Sequence, residues 1–120
     1  MRYMLLVYTQ EGELSPAEVD RVTNTHLRVI SEARERGLLH GAEPLMPRNT
    51  ATTVRRKDGE LLVTDGPFAE TKEQLAGYYI LDCEDLDEAI EWAAKIPASC
   101  GGREGSVEIR PIRALGGDLT

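Results

Sequence analysis

Basic side chains are in the minority in this chain. Fourteen Lys and Arg stand against 21 Asp and Glu, a formal charge of -7. A protein that grips a nucleic-acid duplex needs a basic face to neutralise phosphates, so nucleic acid is not expected as a partner. The same deficit disfavours adhesion to anionic membranes. Long apolar runs are lacking too. The segment Tyr3-Met4-Leu5-Leu6-Val7-Tyr8 is followed at once by Thr9-Gln10-Glu11-Gly12-Glu13. That is too short for a membrane span or for the apolar core of a secretory signal. Cysteine is scarce: Cys83 and Cys100 are separated by 16 residues and form neither a CxxC pair nor a zinc pattern. Two free thiols in a reducing cytoplasm are the expectation, with one bridge as the alternative. Two histidines without a carboxylate at fixed spacing give no metal site, and no cofactor is expected. A Gly-rich phosphate loop opening a helix and a nucleophile elbow are both missing.

What is present fits one domain. At 120 residues, 41% hydrophobic and 29% charged, the chain can build a single core. Residues 1–113 read as that domain and 114–120 as a loose tail. Residues 2–8 read as a strand whose two sides are both apolar, so something must cover each face. Ser15-Pro16-Ala17-Glu18 has the form of a capping box with Pro at the first helical position, and Leu14 and Val19 are placed to staple it. Val19, Val22, His26, Val29, Ile30 and Ala33 make one helical stripe, and Gly37 is placed as the left-handed end. Residues 38–42 resume an extended chain. Residues 52–56 and 61–64 read as a hairpin about Asp58-Gly59. Residues 77–83 form a strand. Asp85 caps a second helix with a Leu86, Ala89, Ile90, Ala93, Ile96 stripe stopped by Pro97, and Gly101-Gly102 lies in a loose loop before a last strand over 107–112.

The order β-α-β, hairpin, β-α-β gives an α+β fold: a ferredoxin-like split βαβ sandwich with an inserted hairpin. Two helices cover one face of one sheet. The uncovered face is apolar, and a second copy of the chain is the expected cover, with long loops as the alternative.

The chemistry-bearing residues fall in two places. The connection Thr64-Asp65-Gly66-Pro67-Phe68-Ala69-Glu70-Thr71-Lys72-Glu73-Gln74 concentrates acids, a Gly-Pro break, the single Phe and a Lys. A loop of this kind holds functional groups or is a rigid structural turn, with Phe68 plugging the core. Gly66, before Pro67, is expected to be extended. His26 interrupts an apolar stripe and should face the sheet, either as a hydrogen-bonded core residue or as a general acid–base group near neutral pH.

The run TDGPFAETKEQL at 64–75, continued by Gly77-Tyr78-Tyr79, Asp85-Leu86-Asp87-Glu88-Ala89 and Trp92-Ala93, resembles the signature of the DGPF family of YCII-related proteins. Ala51-Thr52-Thr53-Val54-Arg55 and Val107-Glu108-Ile109-Arg110-Pro111 extend the match. The resemblance implies homodimers forming a dimeric α/β barrel. From His26 to Pro44 the chain is also similar to the YciI proteins, where a His near the first helix is proposed to work with an Asp. Carried over, this makes His26 and Asp65 a candidate catalytic pair. Gly66, Pro67, Phe68, Glu70, Lys72 and Tyr79 would then be candidate binding residues around a small, partly apolar molecule. The implied chemistry is a cofactor-independent lyase or isomerase reaction. The alternative is a non-catalytic binding or regulatory module, since genes of the family tend to lie near sigma-factor genes.

Overall fold

The computed structural model describes residues 1–99 and 103–115. Cys100, Gly101-Gly102 and the last five residues of the expected tail lie outside the described residues. Strand β1 spans Arg2–Thr9, helix α1 Pro16–Glu35 and strand β2 Leu39–Pro44. A short 3-10 turn at Arg48–Thr50 leads to strands β3 (Thr52–Lys57) and β4 (Glu60–Asp65). Strand β5 is Gln74–Asp82, helix α2 Leu86–Ala93 and strand β6 Gly105–Pro111.

The main sheet has the order β2-β5-β1-β6, with every pairing antiparallel. Each β-α-β half places its second strand two positions from its first, with a strand of the other half between them, which is the ferredoxin-like arrangement expected from the element order. Strands β3 and β4 form a separate two-stranded ribbon.

The sheet alternates as a half-covered sheet must. Tyr3, Leu5 and Val7 of β1 and Tyr79 and Leu81 of β5 are buried with Val29 and Ala33 of α1 and Ala89 and Trp92 of α2. Met4, Leu6 and Tyr8, with Tyr78 and Ile80, occupy the opposite face and are partly buried. Among the described residues no helix covers that second face.

Local signals placed both helices. Ser15 accepts from the Glu18 amide while Glu18 accepts from the Ser15 amide, the reciprocal box that the sequence encodes. These hydrogen bonds to Ser15 hold the Glu18 carboxyl below its ordinary value. Gly37 takes φ +72° and closes α1, its N–H donating to Arg34 while the Leu38 N–H donates to Ala33. Asp85 caps α2 through the Glu88 amide.

The apolar stripes are phased differently from expectation. Val19 is 47% exposed, so α1 engages the core only beyond its first turn. In α2 the buried residues are Ala89 and Trp92, continued by Ile96 after the helix, while Leu86 and Ile90 stay half exposed. The largest side chain decided the rotation: Trp92 is the bulkiest of the fully buried side chains, and Lys95 and Arg36 lie over its ring at 4.2 and 5.4 Å. Phe68 is also not where the sequence put it. It is 74% exposed, with the Arg55 guanidinium 5.1 Å from its ring, and plugs no core.

Gly105 sits against the segment after α2. A Cβ there would fall 1.8 Å from the Ala98 carbonyl oxygen. Gly105→Ala must therefore push β6 away from that segment, and a loss of about 1–3 kcal/mol is expected in a denaturant titration.

Candidate functional site

A cavity of about 360 Å3 opens between α1 and one end of the sheet, where β1 and β2 end and β5 begins. That volume is within the range of small-molecule sites. Val22, Leu27 and Ile30 of α1 form one wall and Val7 lies opposite. Ala42, Glu43 and Pro44 of β2, with Arg103, complete the rim. A bulge shapes the floor. The β1–β5 register slips between Val7 and Tyr8, and Ala76 and Gly77, at the slip, both line the cavity. Gly77 also has to be glycine, because a Cβ would lie 2.7 Å from the Glu43 carbonyl oxygen of the neighbouring strand.

His26 projects into this space from the middle of α1. It faces the sheet, as its place in the apolar stripe requires. Its Nδ1 lies 2.5 Å from the Tyr79 hydroxyl, and the two rings stack with centroids 5.9 Å apart and 23° between planes. Either the phenol O–H donates to Nδ1 or Nδ1–H donates to the phenol oxygen, according to the tautomer. Burial drives both groups toward neutrality. It lowers the imidazole below its ordinary 6.5 and pushes the Tyr79 hydroxyl up to about 12. At neutral pH the site therefore presents an uncharged imidazole tied to an un-ionised phenol.

The Tyr79 shift has a consequence for stability. The folded form holds its proton to about pH 12, the unfolded form only to about 10. The stabilisation is present below pH 10 and is lost as the pH rises toward 12, at about 1.4 kcal/mol per pH unit. Denaturant titrations of the wild type across this interval should show a loss of roughly 2 kcal/mol that Tyr79→Phe does not show.

The other candidate residues are placed elsewhere. Asp65 is the exposed last residue of β4, opposite Thr52. Gly66 adopts φ +99° instead of an extended conformation. The reason is the closure of the ribbon's base: its N–H donates to the Ala51 carbonyl at 2.7 Å and its own carbonyl accepts from Thr53 Oγ1 at 2.7 Å. Glu70 is exposed, and neither it nor Pro67 or Phe68 lines the cavity. Lys72 pairs with Glu104 at 2.9 Å, and Ser106 donates to Glu73 at 2.6 Å. The end of the signature loop is thus tied to the start of β6, adjacent to Arg103 on the rim. Of the candidates, the structure brings together His26 and Tyr79. Thr9, Thr23, Glu43 and Arg103 were not singled out from the sequence, and nothing in their spacing marks them, since each arrives from a different element.

Two further groups offer little chemistry. Cys83 is buried and free, and burial raises its thiol, which keeps it protonated and unreactive. His40 is an exposed β2 residue 3.8 Å from Asp82, whose carboxyl is held low first by the N-terminal amine. No cluster of His, Cys, Asp and Glu suited to a metal ion occurs among the described residues. No helix there is long and apolar enough to cross a membrane.

The fold and cavity define a ferredoxin-like α+β domain with a helix-side hollow. The YCII-related domain model matches residues 1–115, and the chain belongs to that family. It is 40% identical over 115 residues to an uncharacterized protein of Rhizobium meliloti (strain 1021), a match covering 93% of this chain and 92% of that protein.

Proposed function

We propose that the cavity beside His26 and Tyr79 takes a small, partly apolar molecule and that the protein transforms it without a cofactor, as a lyase or isomerase. The observation that carries this reading is the contact of His26 Nδ1 with the Tyr79 hydroxyl on the cavity wall. With Nδ1–H donating to the phenol oxygen, Nε2 keeps its lone pair and can accept a proton from a carbon beside a carbonyl. The C–H bond breaks, its electron pair moves into an enolate, and the Tyr79 O–H can donate to the developing oxyanion. Return of the proton at another atom is an isomerisation; departure of a group from the neighbouring carbon is an elimination. Tyr79 thereby takes the place beside His26 that the family resemblance suggested for Asp65. The run TDGPFAETKEQL supports assignment to the DGPF branch of the family, and the free thiol of Cys83 supports a cytoplasmic setting.

The test is to incubate the purified chain with a metabolite extract and follow by mass spectrometry which compounds are retained and which are converted. A compound consumed by the wild type and retained intact by His26→Gln supports catalysis. One retained unchanged by both points to a binding or regulatory module, and failure to retain or convert anything overturns the site.

The uncovered sheet face supports a second reading, that two copies pair through Met4, Leu6, Tyr8, Tyr78 and Ile80. An uncovered apolar sheet face is a common mark of an interface, and a twofold dimer is the commonest solution.

A further inference from the structure

The cavity has two ends, and its lining differs between them. Tyr79 lies opposite Leu5 and Gly77 opposite Val7, while Thr9 follows Val7 on the same side of β1. From Leu5 to Thr9 is four residues, or about 13 Å along the strand. Helix α1 begins just after the turn that follows Thr9, so Val22 and Thr23 lie toward the Thr9 end and Ile30 away from it, with His26 between. The middle of the cavity is apolar, with Val7 and Gly77 on the floor and Val22 and Pro44 beside them. The Thr9 end is polar. Gly105 pairs with Thr9, and Arg103, just before it in the chain, brings its side chain against Gly12 in the β1–α1 turn. The Thr9 and Thr23 hydroxyls have no hydrogen-bond partner among the described residues. Glu43, the other full charge on the lining, does not stand against Arg103. It belongs to β2, whereas Arg103 leads into β6 at the opposite edge of the sheet, roughly 14 Å away across the strands.

We propose that the cavity takes an elongated molecule with a carbonyl at one end and a carboxylate at the other, the carbonyl at His26 and Tyr79 and the carboxylate at Arg103 with the Thr9 and Thr23 hydroxyls. This inference rests on the site reading above and names its substrate class. The two ends select different groups. At the His26–Tyr79 end an ion would lose its water among apolar walls and meet no counter-charge. A neutral carbonyl oxygen there needs only the phenol O–H. The Thr9 end presents donors: two hydroxyls and a guanidinium. A guanidinium has five N–H groups, so a protein partner on some of them leaves others for a ligand. Glu18, the acid close enough to feel the Arg103 charge, is committed to the Ser15 cap. A carboxylate meets arginine with two parallel hydrogen bonds, whereas an amine tail would be repelled and a hydroxyl tail would gain nothing from the charge. The apolar middle fits a hydrocarbon spacer. Anchoring the remote charge then holds the carbon beside the carbonyl against His26 Nε2.

The experiment is a titration of the full chain with straight-chain oxo acids of increasing length, ketone at one end and carboxylate at the other, and with their methyl esters. Occupancy is read from the His26 ring resonances by NMR, which report the carbonyl end whatever the tail does. At least one oxo acid is expected to bind about tenfold more tightly than its ester, the worth of a hydrogen bond to a charged group. Arg103→Gln should abolish that preference and leave ester binding unchanged, which also shows that the variant is folded. Thr9→Val should weaken binding of the acid severalfold. Acid and ester binding alike, or a preference that survives Arg103→Gln, overturns the carboxylate subsite and leaves the cavity beside His26 standing. Acid binding untouched by Thr9→Val removes Thr9 from the subsite and overturns the proposal in that part. A series in which no compound perturbs His26 overturns the subsite and the site reading together.

Discussion

His26→Gln is expected to cut turnover of the cavity's substrate by roughly 10²–10⁴-fold, the usual contribution of a positioned general base. Gln keeps a polar side chain on the wall but accepts no proton at neutral pH, so binding should survive. The measurement is kcat and KM on the compound found by metabolite conversion, and a kcat within twofold of wild type would remove His26 from the chemistry. The pH profile is a second readout. Burial lowers the imidazole, so the base stays unprotonated below pH 6.5 and the acid limb of the wild-type profile should lie beneath that value. Stability follows the same linkage. At pH above 6.5 both folded and unfolded forms carry neutral His26. As the pH falls below 6.5 the unfolded chain takes up its proton first and stability is lost, down to the lowered folded value. His26→Gln should flatten that part of the stability curve.

Trp92→Ala is expected to cost about 3–5 kcal/mol, a large part of the roughly 5–15 kcal/mol that holds a domain of this kind together. Trp92 is 1% exposed, sits in the core beside Leu5 and Leu81, and lies under Lys95 and Arg36. Its removal opens a cavity that two flanking cations cannot fill. Urea unfolding should show a large fall in midpoint with little change in slope. Ile90→Ala, half exposed on the same helix, should cost far less than Trp92→Ala. Comparable losses for the two would mean that the helix faces the core as its sequence stripe suggested.

Much of the architecture was legible because its signals are local. The Ser15–Glu18 box, Gly37, Asp58-Gly59 and Asp85 each act within a few residues, and each appears in the structure as the sequence has it. The absence of apolar–polar alternation in β1, with Tyr3, Leu5 and Val7 on one side and Met4, Leu6 and Tyr8 on the other, identified a sheet apolar on both sides, and His26 was recognisable as facing it. The readings that failed depended on distance. Phe68 looked like a core residue because it is large and apolar, but its loop leaves the body at the foot of the β3–β4 ribbon. The α2 stripe was misphased because Leu86 and Ile90 are as hydrophobic as what lies beneath, and only the bulk of Trp92 decides which side goes in.

The candidate site divides in the same way. His26 and Tyr79 could each be singled out from the sequence, yet their contact spans 53 positions, and Asp65, inside the signature motif, looked the better partner. The sequence by itself determined the element order, the starts of both helices, the Gly37 end of α1, the Asp58-Gly59 turn and the family, whereas α2 ends at Ala93, short of the Pro97 stop the sequence suggested. Tertiary structure decided which hydroxyl meets the imidazole, where the hollow opens and which apolar surfaces are left over. The physical reason is range: caps, turns and side-chain alternation are settled within a few residues, whereas strand register, the bulge at Val7/Tyr8 and burial of His26 exist only once four separate strands have been brought side by side.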